Sequence, residues 1–151
     1  MPSDLYDSDF YLWTQAQAEA LRAAGKGKRG SNAVEWERVA EEVEDMGKSD
    51  IHAAESLTAQ ILIPLYKLAW TKREEPKGHW ESEIVTLRGN LQRKLTPSIR
   101  NKVAADLDGL HAEAAEAARR AFKSDEPTAP TDNAPHWSLA QILGEEDDPL
   151  Q

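Results

Sequence analysis

The stretch IHAAESLTAQILIPLYKLAW, residues 51–70, decides the fold class. Wound at ~100° per residue, Leu57, Ile61, Leu65 and Leu68 share one face, while Ile63, Tyr66 and Trp70 fall on the other. A helix that is apolar nearly all round belongs at the centre of a bundle, with other helices covering it. Its start reads at Ser49. Pro64 lies inside it; an interior proline removes one backbone hydrogen bond and crowds the preceding turn, so a kink or break is expected near Leu62.

Helical periodicity continues on both sides. Upstream, EWERVAEEVEDMG (residues 35–47) sits in a helix from about Ala33 to Met46, opened by Ser31 or Asn32 and closed by Gly47. Before that, Phe10, Trp13, Ala16, Ala20 and Ala24 mark a helix from about Ser8 to Ala24, with Asp7 as its cap and Gly25 as its stop. Downstream of the turn REEPKGH, Trp80, Ile84, Leu87, Leu91 and Leu95 line a helix from about Trp80 to Leu95. Thr96 followed by Pro97 is a helix start, and the next helix runs to about Phe122 through Ile99, Val103, Leu107, Leu110 and Ala114. No stretch alternates as a strand does. The expectation is an all-α, single-domain bundle of about five helices, with a short docked C-terminal helix.

Three regions follow. Residues 1–123 form the helical bundle. Residues 124–137 are linker by composition, SDEPTAPTDNAP. Residues 138–151 hold a short helix and an acidic tail that pack on the bundle: Ser138 and Gln141 have capping-box spacing, and Trp137 can staple onto Ile142.

Composition narrows the function classes. The chain has 151 residues and no cysteine, which removes disulfides, thiolate nucleophiles and Cys-ligated zinc. Its net charge is −9, yet from Ser124 onward there are seven acids and no Lys or Arg, so the body is nearly neutral. Nucleic acid is therefore not the expected partner. No apolar run reaches the ~20 residues of a membrane span, and no basic-then-apolar leader opens the chain, so a cytoplasmic protein without membrane contact is expected. The four histidines, His52, His79, His111 and His136, fall in separate segments with no H-E-x-x-H, and GKGKRG lacks the order of a phosphate loop.

The six carboxylates between Glu35 and Asp45 raise the question of a site. On the wheel, Trp36, Val39, Val43 and Met46 form the stripe expected to be buried. Glu37, Glu41 and Glu44 point to solvent; Glu35 and Glu42 border the stripe; Asp45 flanks it near Arg38, which can pair with Glu42. A metal would need ligands from a second helix, either His52 and Glu55 or Asp108 and His111. The paired Glu-x-x-His motifs of dimetal bundles are absent. No cofactor is expected; if a metal bound, Glu42, Asp45, His52 and Glu55 would be its ligands.

Several pieces together resemble a known family. YDSDFYLW, AEEVEDMG, a long apolar helix, a helix carrying Trp80 and Arg88, and HWSLAQIL follow in order along nearly the whole chain. They resemble the bacterial domain-of-unknown-function family 29. The resemblance implies a compact all-helical domain with no established activity. Its motif positions here are Asp9, Phe10, Trp13, Glu41, Glu42, Glu44, Asp45, Met46, Lys67, Trp80 and Arg88. Where the family has HLLKW, this chain reads PLYKL, residues 64–68, so a role tied to that histidine does not carry over.

Three readings stand. The leading one is a non-enzymatic intracellular interaction protein, binding a protein partner or itself, with Glu42 or Asp45 paired to Arg88 or Lys67 to hold helices in register. The second is a metal- or phosphate-dependent hydrolase or nuclease, with Glu42, Asp45, Lys67 and Arg88 as catalytic candidates. The third is a nucleic-acid-binding accessory protein using the basic face of residues 84–105, where Arg88, Arg93, Lys94, Arg100 and Lys102 occur without an acid.

Overall fold

The computed structural model describes residues 2–27, 31–122 and 134–151. Its helices are α1 (Pro2–Ser8), α2 (Phe10–Lys26), α3 (Trp36–Trp70), α4 (Lys77–Lys94), α5 (Pro97–Ala105), α6 (Leu107–Ala121) and α7 (Leu139–Ile142). The fold is all-α, and no strand occurs among the described residues.

The axis of the molecule is α3, 35 residues long. Its C-terminal half supplies the centre of the core, where Ile61, Leu62, Leu65 and Tyr66 are almost wholly buried. Ile84 and Leu91 of α4, Ile99 and Val103 of α5, and Leu107, Leu110, Ala114 and Ala118 of α6 close around them. Leu139, Ile142 and Leu143 complete the same cluster. The N-terminal half of α3 packs along α2 instead.

The two helices expected at Ala33–Met46 and from Ser49 are thus one. Gly47 was expected as a stop, yet it lies buried inside the helix. A Cβ there would run into Thr14 Oγ1, with Tyr11 Cδ2 only 3.1 Å away, so the missing side chain is what lets α2 come close. The packing gain outweighs the roughly 1 kcal/mol by which an interior glycine weakens a helix. Pro64 does not break the helix either. It is buried between Leu62 and Leu65, where packing of the ring offsets the lost hydrogen bond.

The other differences are local. The single helix expected from Pro97 to Phe122 divides at Asp106, whose φ of −96° and ψ of 7° leave the helical region. Asp106, Asp108 and Gly109 make this the stretch of weakest helix propensity in the run. Pro2–Ser8 forms a helix that periodicity did not mark, and the cap of the next helix is Asp9 rather than Asp7. Thr96 caps α5 by accepting from the Ile99 amide. Ser138 and Gln141 form a reciprocal capping box on α7. Of the expected linker, residues 124–133 lie outside the described residues; residues 134–137 run against the body.

Candidate functional site

The packing of α2 on α3 determines which side of the acidic stretch faces inward. Close approach selects small residues, and Ala40, Gly47 and Ala54 are buried at every second turn of α3. Ala18 and Thr14 face them from α2. This turns the expected core stripe outward: Val39 is 40% exposed and Met46 49%. Glu44 moves the other way. Its side chain is only 20% exposed and pairs with Arg22, whose Nε also donates to Glu37 at 2.9 Å. The expectation that Glu44 points to solvent is therefore corrected. The wheel was oriented by hydrophobicity, whereas the contact is set by side-chain size.

The remaining acids of the stretch, Glu35, Glu41, Glu42 and Asp45, are exposed. Arg38 pairs with Glu35 at 3.8 Å rather than with Glu42. Val34, Val39, Val43 and Met46 line a shallow hollow of about 500 Å³, with Glu35, Arg38 and Glu42 around them.

Arg88 is 8% exposed and turned into the body, but its counter-charge comes from the tail. Its Nε donates to the Ile142 carbonyl at 2.8 Å and its Nη2 to the Gln141 carbonyl at 3.4 Å. The fork grips Asp148 through two bonds of 3.1 and 2.8 Å, the paired geometry that suits guanidinium and carboxylate. Hydrogen bonding from Arg88 holds the Asp148 carboxyl below its usual range. Gly144 has φ of +75°, and a Cβ on it would lie 2.7 Å from Arg88 Nη1. Next to this pair, Arg100 binds Glu145 through two bonds of 3.0 and 2.5 Å. Lys67 sits over the Trp80 ring, 5.8 Å from its centre. No hydrogen bond or ion pair among the described residues joins Glu42 or Asp45 to Lys67 or Arg88.

The residues considered for a metal are also dispersed. His52 is exposed. Glu55 has its carboxyl pushed up by burial and by a hydrogen bond with Asp106, with His52 pulling the other way. His111 is 4% exposed, and both ring nitrogens are taken: Nδ1 lies 2.6 Å from the Tyr66 hydroxyl and Nε2 2.9 Å from the Trp137 carbonyl. A carbonyl only accepts, so Nε2 carries the proton; in the neutral ring Nδ1 also only accepts, so the single Tyr66 hydrogen is shared between Nδ1 and the Pro135 carbonyl. The Tyr66 hydroxyl also lies 2.8 Å from the Pro135 carbonyl. Asp108 meets His136 at 2.9 Å, and the His136 ring stacks on His111 at 4.0 Å. Burial lowers the His111 pKa and raises that of Tyr66. The cluster seats the C-terminal segment on α3 and α6.

Asp9 caps two helices at once. It accepts from the Leu12 amide at the start of α2, and from the Ser98 amide, the Ser98 hydroxyl and the Thr96 hydroxyl at the start of α5. Burial alone would raise its pKa, but these four donors outweigh it and hold the carboxyl below its ordinary value. Phe10 and Trp13 stack with ring centres 5.6 Å apart, and Tyr6 meets both edge-on.

Of the motif residues, Asp9, Phe10, Trp13, Glu44, Lys67, Trp80 and Arg88 thus serve helix starts, ion pairs and ring packing, whereas Glu41, Glu42, Asp45 and Met46 are exposed. The family model for Domain of unknown function DUF29 matches residues 5–146. The chain belongs to the DUF29 family. A solved alpha-helical protein of unknown function from Rhodospirillum rubrum is similar to this DUF29 chain: 25% identity, TM-score 0.76, covering 95% of this chain and 92% of the other. No curated protein matches the DUF29 chain. Among its described residues, no helix is long and apolar enough to cross a membrane.

Sequence reasoning missed the Arg22–Glu44 pair, the Tyr66–His111 contact and Asp148. One signal was available for the last: Pro149-Leu150 follows the acids, and a leucine there has reason to pack. Leu150 does lie against the core.

Proposed function

We propose that this DUF29 protein is a non-enzymatic interaction protein that receives an amphipathic helix of another protein on the exposed side of α3. One observation carries the reading: Val39, Val43 and Met46, spaced four then three residues apart, line an open hollow with Val34 at its head. That spacing is the seam by which helices pack on helices, and here α2 occupies a different side. Large apolar side chains grouped on a surface mark contact sites more often than single exposed ones do.

The test uses a designed amphipathic peptide of about four turns with glutamine along its edges, followed by fluorescence anisotropy. Binding to the wild-type protein is expected, with Val39→Glu and Met46→Glu together weakening it by about tenfold or more. These positions are exposed, so the double variant should keep its melting temperature. Equal binding to both proteins, or none to either, would overturn the reading.

A further inference from the structure

The hollow on α3 carries a charge pattern as well as an apolar floor, and the two together point to the chemistry of what it receives. Resting on the surface assigned above, we infer that the partner helix bears lysine or arginine along the edges of its apolar stripe.

Glu35 and Glu42 border the hollow, and both are exposed. Among the described residues that line it, Arg38 is the one base, and it already lies 3.8 Å from Glu35. Glu41 and Asp45 are not part of this rim; they line a separate cleft with Arg22, Glu44 and Lys48. The rim is therefore net acidic, on a chain whose net charge is −9. Apolar contact sets affinity at such a surface, whereas charge at the rim sets which partner is admitted and how fast. A basic-edged helix would place its cations against Glu35 and Glu42 while its apolar stripe covers Val39, Val43 and Met46. A second copy fits poorly: an antiparallel pair would set two acidic rims against each other, and like charges across an interface exclude the wrong partner. An anionic lipid surface is repelled by the same rim.

The experiment compares three designed peptides with the same leucine stripe and lysine, glutamine or glutamate edges, again by anisotropy. The lysine-edged peptide is expected to bind about tenfold tighter than the glutamate-edged one in low salt, and this gap should narrow at about 1 M salt. Glu35→Gln with Glu42→Gln should erase the preference without weakening the glutamine-edged peptide. Attraction to the acidic chain as a whole is separated by Val39→Glu with Met46→Glu, which adds negative charge to the surface. Seating on the apolar floor predicts loss of the lysine-edged peptide there, whereas tighter binding would overturn the inference. Equal affinity for all three peptides, lost in that variant, would sink the basic-edge inference and leave the docking surface standing. Concentration-dependent dimers broken by the same variant would show the occupant to be a second copy and overturn it. Failure of every peptide to bind would remove both.

Discussion

Ser98 meets Asp9 twice across 89 positions of sequence, its amide at 2.9 Å and its hydroxyl at 2.5 Å. The carboxylate also accepts from the Leu12 amide, so one side chain ties the start of α2 to the start of α5. Helix caps contribute about 1 kcal/mol each, and a buried donor left without its acceptor costs about 1–3 kcal/mol. Asp9→Ala is therefore expected to lower unfolding free energy by about 3 kcal/mol in urea titration. Asp9→Asn, which keeps one oxygen, should lose less. A loss under about 0.5 kcal/mol for the alanine variant would refute the double cap.

Some of this was readable in advance and some was not. Thr96-Pro97 and Ser138–Gln141 read correctly because a cap is decided by residues three apart. YDSDFYLW and AEEVEDMG, taken with the order of the later pieces, led to the right family. The inward face of the acidic stretch was misread because it depends on Thr14, a residue on another helix. Gly47 looks like a terminator until Thr14 Oγ1 occupies the space where its Cβ would be. Packing of the acidic tail on the body was expected, but not the partner of Asp148, because Arg88 lies 60 positions away in sequence.

Arg88 supports the second prediction. Its guanidinium is nearly buried and holds two carbonyls and one carboxylate of the C-terminal segment. Removing one member of such a pair strands the other and commonly costs about 3–5 kcal/mol when fully buried. Asp148 is 17% exposed, so about 2–3 kcal/mol is expected for Arg88→Ala. Limited proteolysis should then cut within residues 134–151 before the rest of the chain. Arg88→Lys should not restore protection, because an ammonium cannot grip both oxygens. Gly144→Ala should mimic the defect more mildly, since it both strains a φ of +75° and presses on Arg88.

Acid should unfold the protein in two ranges. The folded pKa of His111 is below its ordinary 6.5, chiefly through burial. The unfolded chain thus takes up that proton more readily, and the stability His111 confers is present above pH 6.5 and lost as pH falls below it. Asp9, Glu145 and Asp148 are also depressed, from ordinary values of 3.8, 4.5 and 3.8. Their contribution is present above those values and lost at lower pH still. Glu55, which is raised, works against them, because its folded form binds the proton more tightly. Melting temperatures measured from pH 8 to pH 3 should show both declines, and His111→Gln should abolish the upper one alone. An unchanged upper decline in that variant would assign it elsewhere.

The bond between Arg88 and Asp148 also has a consequence for the order in which the molecule is made. A ribosome delivers the arginine 60 residues ahead of its carboxylate. Through that interval the growing chain holds a cation destined for the interior with nothing yet to neutralise it. The body can assemble its helices early, but the closure over Arg88 waits for Asp148 to emerge. A ribosome that stalls, or a protease that cuts, between Arg88 and Asp148 therefore leaves a molecule with its lock built and its key missing.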